Sequence, residues 1–337
     1  MDGLFVMLHT MKSSLSSLAS SLVGVSAALL ISTGACQAQT WPQKQPVKIL
    51  VGVAAGGTTD TIARIIAKSL SDQIGQSVFI ENRPGAAQTI SAEIVAQAPA
   101  DGYTLLMANT PQMAIIPAIL KTRYSAKDFA PISIIGSNAF VLCVNSKVPV
   151  NSLAEFISYV KARPGVLSYA SGGAGNVTHL SMAYFQKLAG LDIVHVPYKG
   201  GAPAMADLIA GHVPTMFASI ADALPQADAG AIKLLAVSGL ERARELPNVP
   251  TIRESGYPTY EALTWNGLVA PAGTPKEIIE QIEKAILVSF KQPTVIEQLS
   301  NKGIDPVGSS AAEFANTIAK DIKLWQEIVD VADVKEK

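Results

Sequence analysis

The chain has 337 residues, of which 49% are apolar and 16% are charged, and its formal net charge at pH 7 is −1. A chain without a basic excess is not typical of a nucleic-acid-binding protein, and no long run of like charges indicates a solvated tail. Aliphatic residues continue throughout, which excludes a disordered chain, and the length accommodates one large domain or two of ordinary size.

The N-terminal segment is typical of a secretory signal peptide. Lys12 precedes an apolar run at residues 22–31, and small residues then lead to Ala38. The apolar run is shorter than the roughly 20 residues that a membrane-spanning helix needs. We expect export and cleavage after Ala38, with Met11 as the natural start. A lipid-modified Cys36 is the alternative, although no leucine stands where a lipidation motif normally has one.

From Pro46 onward, short apolar runs alternate with segments of helical periodicity. In the first region the predicted strands are residues 47–53, 78–81 and 104–108, with helices at residues 62–74 and 89–98 between them. This order of strand and helix predicts a parallel sheet that is covered by helices.

The same alternation restarts after an apolar strand at residues 132–135. The predicted helices of this second region are residues 153–163, 179–189, 202–210 and 222–229, and its strands are residues 167–170, 193–196, 215–218 and 233–237. A strand at residues 263–270 and helices near 275–290, 293–301 and 311–332 complete the chain. The fold class is therefore predicted to be α/β.

Two glycine-rich loops occupy equivalent places in these two regions. The first glycine loop, residues 53–60, follows the first strand and opens a helix, and so does the second glycine loop, residues 169–179. In open α/β sheets, loops at the carboxyl ends of strands line the ligand crevice. Glycine allows close approach to the backbone, and a helix N-terminus favours an anion. The paired loops predict a site for a small anion.

Other kinds of site are not supported by the sequence. Neither glycine loop has the spacing of a nucleotide-binding motif, and His179, His195 and His212 match no zinc motif. Cys143, which would be the single cysteine after cleavage at Ala38, lies in an apolar run and is predicted to be a buried structural thiol. We therefore expect no cofactor and no metal.

Several motifs resemble those of the extracytoplasmic solute receptors of tripartite tricarboxylate transporters, the Bug or TctC family. Besides the two glycine loops, the resemblance is carried by Pro46-Val47-Lys48, Glu81-Asn82-Arg83-Pro84-Gly85-Ala86, Asp101-Gly102-Tyr103-Thr104-Leu105-Leu106, His195-Val196-Pro197-Tyr198-Lys199-Gly200-Gly201, Leu246-Pro247-Asn248-Val249-Pro250-Thr251 and Ala270-Pro271-Ala272-Gly273-Thr274-Pro275. It extends over nearly all of the mature chain.

This resemblance implies a two-lobed, periplasmic-binding-protein-like fold of the Venus-flytrap, type II kind, with two parallel or mixed sheets flanked by helices. After a signal peptide at residues 1–38, lobe 1 would comprise residues 39–138 and 262–337, and lobe 2 would comprise residues 139–261. The receptor is expected to be a monomer in the periplasm that delivers its ligand to the membrane permease subunits of the transporter.

The resemblance also implies that a ligand carboxylate lies between the two glycine loops. The residues carried over by position are Ala54, Ala55, Gly56, Gly57, Thr58, Asp60, Ser171, Gly172, Gly175, Asn176, Thr178 and His179, with Asn109 and Thr110 on another crevice loop. For Asp60, a helix-capping role is favoured over ligand contact, because a carboxylate repels an anion. Thr58 and Thr59 are better direct donors. For His179, donation to an anion and helix capping both remain open.

Two departures from the family pattern bear on the ligand. Ala87-Gln88 stands where the family often has two glycines, and Ala218-Ser219 stands where an aspartate is common. The loss of an acidic residue argues against a ligand with an ammonium group. We therefore expect a small organic acid, either a di- or tricarboxylate or an aromatic acid, and a protein that is not an enzyme.

An exported hydrolase is the alternative function. Ser171 would be its nucleophile, and His179 follows eight residues later. A Gly-x-Ser-x-Gly elbow is absent, because Tyr169 stands at the position of its first glycine.

Overall fold

The computed structural model describes residues 41–332, so the predicted leader peptide, with Cys36 and the cleavage site at Ala38, lies outside the described residues. The strands are β1 (Val47–Val51), β2 (Val78–Asn82), β3 (Thr104–Asn109), β4 (Phe129–Asn145), β5 (Ser168–Ser171), β6 (Val194–Pro197), β7 (Thr215–Ser219), β8 (Ile232–Val237), β9 (Leu263–Pro271) and β10 (Asp305–Pro306). The helices are α1 (Thr58–Ile74), α2 (Thr89–Ala96), α3 (Ile116–Ile119), α4 (Leu153–Lys161), α5 (Val177–Ala189), α6 (Gly201–Ala210), α7 (Ile220–Asp228), α8 (Lys276–Ser289), α9 (Pro293–Ser300) and α10 (Ala311–Ala332).

The first sheet has the strand order β2-β1-β3-β9-β4, with the short strand β10 on β4. Strand β1 pairs in parallel with β2 and β3, as the alternation of strand and helix predicts. Strand β9 returns from much later in the chain and pairs antiparallel with both β3 and β4. The sheet is therefore mixed, and the late segment lies between two early strands.

The second sheet contains β7, β5 and β6 beside β4, and β8 also pairs with β4. Strand β5 is parallel to β6 and β7, whereas β4 is antiparallel to β7 and β8. Strand β4 belongs to both sheets: residues 129–139 pair with β9, and residues 140–145 pair with β7 and β8. The sheets thus meet on one continuous strand.

The length of β4 differs from the sequence expectation of a short strand at residues 132–135. Gly136, Ser137 and Asn138 have low strand propensity, but β9 pairs with all three and β10 pairs with the first two. A Cβ atom at Gly136 would lie 2.5 Å from Ile304 Cγ2, so the glycine permits this close approach. Tertiary pairing therefore extends the strand through a segment whose local pattern does not indicate one.

Apolar side chains form a core on each sheet. One cluster at the first sheet includes Leu50, Leu106 and Phe314, and another at the second sheet includes Phe185 and Trp325. Because Phe314 and Trp325 both belong to α10, this last helix packs against both cores. The arrangement links the two sheets at a second place besides β4.

The thiol of Cys143 lies on β4 and is fully buried, as the sequence predicts. Burial raises its pKa, so the neutral thiol is the stable form.

Between residues 41 and 332, no helix is both long enough and apolar enough to cross a membrane. The same part of the chain contains no group of three or more His, Cys, Asp or Glu side chains that could hold a metal ion.

Candidate ligand-binding site

A cleft of about 350 Å³ lies where the two sheets meet. Its floor is formed by Asn138, Ala139 and Phe140, the residues at which β4 passes from one sheet to the other. A second hollow of about 240 Å³ also contains Phe140 in its lining and extends toward the second glycine loop. Asp222 and Lys302 are the charged residues that line the main cleft, and both are exposed.

The N-terminus of α1 faces this cleft without a side-chain cap. Its N-cap is Gly57, and the first intrahelical hydrogen bond runs from the N–H of Thr61 to the carbonyl of Gly57. The preceding N–H groups, those of Thr58, Thr59 and Asp60, have no acceptor among the described residues. Thr58 and Thr59 line the cleft. The positive end of the α1 dipole and unpaired donors thus lie at the wall of the cleft.

Asp60 holds the first glycine loop in place. Its Oδ2 accepts from Gly56 N and from Arg64 Nε, each at 2.9 Å, and its Oδ1 accepts from Asn82 Nδ2 at 2.8 Å. Burial acts to raise the pKa of Asp60, but the hydrogen bonds from Arg64, Gly56 and Asn82 outweigh burial and hold that pKa below its usual value. These contacts occupy both carboxylate oxygens within the protein.

The second glycine loop is closed by its own side chains. The N–H of Gly172 donates to Thr178 Oγ1 at 3.0 Å, and the N–H of Gly175 donates to His179 Nδ1 at 3.1 Å. The side chain of Asn176 caps α5 by accepting from Thr178 N at 3.0 Å. The N–H groups of Gly172, Gly175 and Thr178 in this loop therefore already have acceptors.

Two stacked histidines lie beneath the second glycine loop. The rings of His179 and His195 are parallel within 5° with centroids 3.8 Å apart, and Tyr169 stacks on His195 at 4.9 Å. Burial, together with the nearby His195, lowers the pKa of His179 to about 4. Burial also lowers the pKa of His195. Because Gly175 donates to Nδ1, neutral His179 carries its proton on Nε2. Protonation of Nδ1 would break that contact.

The environment of Ser171 bears on the hydrolase alternative. Its Oγ lies 2.6 Å from His195 Nε2 and not beside His179, the partner that the sequence suggests. The Ser171 side chain is fully buried and also hydrogen-bonds the backbone of Gly173. Among the described residues, no carboxylate hydrogen-bonds to His195. This hydroxyl is therefore enclosed by its own loop and does not face a substrate.

The structure distributes the predicted site residues over three places. The main cleft is lined by Thr58 and Asn109, and its extension by Gly172, Asn176 and Thr178. A separate hollow of about 670 Å³ beside α1 and α9 is lined by Ala55, Gly56 and Asp60. The remaining predicted residues, which line none of these cavities, are Ala54, Gly57, Thr110, Ser171, Gly175 and His179. Thr110 is fully buried, and its hydroxyl accepts from Trp265 N at 2.9 Å.

Sequence reasoning missed several residues that line the cleft. The clearest is Asn266, which lies in β9 and is 4% exposed. Its signal in the sequence is an amide between Trp265 and Gly267 in a strand whose other polar side chain is Thr264. Asp222 and Lys302 also line the cleft, although they lie far from both glycine loops in the sequence. Ser219 lines it too, and it belongs to Ala218-Ser219, the departure from the family pattern that bears on the ligand.

Comparisons with known proteins agree with this architecture. The sequence model of the "Tripartite tricarboxylate transporter family receptor" matches residues 62–334. Protein BugT of Bordetella pertussis is 33% identical over 303 residues, covering 89% of this chain and 93% of BugT.

Two solved structures contain organic acids. An R. palustris protein solved with adipate is 35% identical, with a TM-score of 0.72, and the match covers 87% of this chain and 98% of that one. MatC from Rhodopseudomonas palustris with bound malate is 31% identical, with a TM-score of 0.68, and the match covers 85% and 99% of the two chains. The predicted α/β, periplasmic-binding-protein-like fold is thereby confirmed.

Proposed function

Because the chain belongs to the tripartite tricarboxylate transporter family of receptors, we propose that it captures a small organic carboxylate in the periplasm. The proposed ligand is a di- or tricarboxylate or an aromatic acid without an ammonium group. The loaded receptor, a monomer, would deliver it to the membrane permease subunits of a tripartite transporter. Neither a cofactor nor an enzymatic step belongs to this function.

The uncapped N-terminus of α1 is the observation that carries the proposal. Within residues 41–332, the N–H groups of Thr58, Thr59 and Asp60 have no acceptor, and they begin a helix of 17 residues at the cleft. Such a helix end stabilises an anion through oriented donors and through its dipole. The cleft also contains apolar surface from Phe140 and Ile220. A carboxylate attached to an apolar body matches this combination.

Capture is proposed to involve closure of two lobes. Lobe 1 would comprise residues 39–138 and 262–337, and lobe 2 residues 139–261. The change of sheet on β4 between Ala139 and Phe140 supports this division. A bound acid would favour the closed form only through its better fit to that form.

A thermal-unfolding screen tests the proposal. We expect adipate, malate or an aromatic acid to raise the melting temperature in proportion to the logarithm of its concentration above Kd, because a ligand that binds only the folded state stabilises it. The uncharged diamide of adipate, which has the same length, is the matched control and should have little effect. If no acid in a broad panel stabilises the protein, or if the diamide acts as strongly as the acid, the proposal is wrong.

A further inference from the structure

A chain of hydrogen bonds crosses the wall of the cleft formed by the first sheet. It begins at the backbone N–H of Gln112, which donates to Asn109 Oδ1 at 3.0 Å. Asn109 Nδ2 donates to Thr59 Oγ1 at 3.3 Å, and Thr59 Oγ1 donates to Asn266 Oδ1 at 2.6 Å. The chain thus links β3, α1 and β9, and it ends at Asn266.

The direction of this chain is set by its starting point. A backbone N–H can only donate, so the atom of Asn109 that faces it must be the amide oxygen, and the amide nitrogen must face Thr59. The hydroxyl of Thr59 accepts from that nitrogen and keeps its own proton for Asn266. The distance of 2.6 Å agrees with this direction, because it is typical of O–H···O bonds and shorter than usual for N–H···O bonds.

The side-chain amide of Asn266, which ends this chain of hydrogen bonds, therefore presents its nitrogen to the cleft. Asn266 pairs with Asn109 on one side and with Gly136 on the other, in the middle of the first sheet. It is 4% exposed and lines the cleft. Its Oδ1 is bound by Thr59, and its Nδ2 has no acceptor within residues 41–332. Because this nitrogen lies at the cleft, it is free to donate to a ligand or solvent atom there.

We propose that Asn266 is a ligand-binding residue whose Nδ2 donates to an oxygen of the captured carboxylate. Thr59 and Asn109 are positioning residues, since they fix which end of the Asn266 amide faces the ligand. This inference rests on the proposed function. The wall of the cleft would then offer hydrogen-bond donors from both α1 and β9, so the ligand atom beside Asn266 must be an acceptor. An ammonium group is therefore excluded there.

Titration calorimetry with adipate and malate as the probes tests this assignment. We expect Asn266→Ala to weaken binding of whichever probe the natural protein binds by about 10- to 100-fold, as for the loss of a hydrogen bond to a charged group. Asn266→Asp keeps an acceptor for Thr59 but faces the ligand with oxygen, so it should weaken binding at least as much. Because Asn266→Asp keeps the size of the side chain, it remains informative if the alanine variant does not fold.

The positioning role of Thr59 has its own readout. Thr59→Val removes the hydroxyl and should weaken binding by about 3- to 10-fold, whereas Thr59→Ser keeps the hydroxyl and should restore binding. The double variant Thr59→Val with Asn266→Ala should bind no more weakly than Asn266→Ala alone, because Thr59 acts through Asn266. Asn316→Ala, on the exposed surface of α10, is the matched control.

The results of these measurements distinguish a failure of the proposed function from a failure of the role assigned to Asn266. If the natural protein binds neither probe nor any acid of the thermal screen, the proposed function and this inference are both overturned. If it binds a probe and both Asn266 variants bind equally well, only the role of Asn266 is overturned. If the losses caused by Thr59→Val and Asn266→Ala simply multiply in the double variant, the positioning role of Thr59 is overturned.

Discussion

The two glycine loops have similar sequences and similar places in the fold, but their hydrogen bonding differs. The first glycine loop leads into α1, whose opening N–H groups have no acceptor among the described residues. The second glycine loop leads into α5, where Asn176, Thr178 and His179 already accept from the loop and helix amides. The start of α1 therefore offers three N–H groups to an anion, whereas in the second loop the N–H groups of Gly172, Gly175 and Thr178 are already bound and, among the described residues, those of Val177 and His179 are left without an acceptor.

This difference in hydrogen bonding indicates the order in which a ligand contacts the two glycine loops. A carboxylate that meets the start of α1 gains charge-assisted hydrogen bonds without breaking any existing ones. A carboxylate that contacts the amides of Gly172 or Gly175 must first displace Thr178 or His179. We therefore expect the acid to bind the first sheet before the second glycine loop closes on it, and we expect the first loop to supply most of the affinity.

The largest expected effect comes from removing one N–H at the start of α1. Thr58→Pro removes that donor while the helix is kept, because proline is well tolerated at the first helical position. Gly57 has φ −69° and ψ 163°, a conformation that suits a residue before proline. Binding of the acid that stabilises the natural protein should weaken by about 10- to 100-fold in titration calorimetry.

Thr58→Ala is the control for this variant, because it removes the same hydroxyl and keeps the N–H. It should bind the acid more tightly than Thr58→Pro does. Equal binding by Thr58→Pro and the natural protein would show that the start of α1 does not hold the ligand. The different hydrogen bonding of the two loops would then not explain where the ligand binds.

A smaller effect is expected at the equivalent place in the second glycine loop. Asn176→Ala removes the cap of α5, so the free energy of unfolding should fall by about 1 kcal/mol in urea denaturation. The affinity for the acid should change less than in Thr58→Pro, because Asn176 stabilises the loop itself. If Asn176→Ala instead lowers affinity as much as Thr58→Pro while stability is unchanged, the two loops contribute equally and the proposed order is wrong.

The smallest effect is expected in the pH dependence of stability. Burial and His195 lower the pKa of His179 from 6.5 to about 4 in the folded protein, so the unfolded chain takes up the proton first as the pH falls. The contribution of His179 to stability is complete above pH 6.5 and is lost progressively as the pH falls toward 4. The melting temperature of the ligand-free protein should therefore decrease over this range.

His179→Asn tests the source of that decrease. Its amide oxygen can accept from Gly175 N, as Nδ1 does, but it does not titrate. The other titratable groups against the His179 ring are His195, which shares the stack, and Tyr169, whose raised pKa keeps it neutral at these pH values. The variant should show a flatter dependence of melting temperature on pH. An unchanged slope would assign the effect to other groups.

Much of the fold could be predicted because its elements have strong local patterns. Strands β1, β2, β3 and β9, most of the helices and both glycine loops lie close to their predicted positions, whereas β4 is much longer than predicted and β10 and α3 were not predicted. The role of Asn266 could not be predicted in this way. It depends on β9 entering the sheet between β3 and β4, which brings Asn266 opposite Asn109 although 157 residues separate them. Local periodicity carries no information about such a pairing.

The difference between the loops was partly present in the sequence. Asparagine is a strong N-cap, and Asn176 stands directly before α5, whereas Gly57 offers no side chain before α1. The hydrogen-bond partner of Ser171, in contrast, could not be predicted from the sequence. Its partner is His195 on the neighbouring strand β6, because the parallel pairing of β5 and β6 brings the two together, and a spacing along the chain suggests His179 instead.

The use of backbone donors at α1 has a consequence for how this receptor tolerates mutation. A backbone N–H is present in every residue except proline, so nearly all single substitutions at Thr58 or Thr59 leave these donors in place. A site built from arginine side chains would lose a donor with almost any substitution. Under the proposed function, the ability to hold a carboxylate would therefore survive most substitutions at these two positions. The choice among carboxylates would change separately, through side chains such as Asn266 and Phe140 that line the cleft.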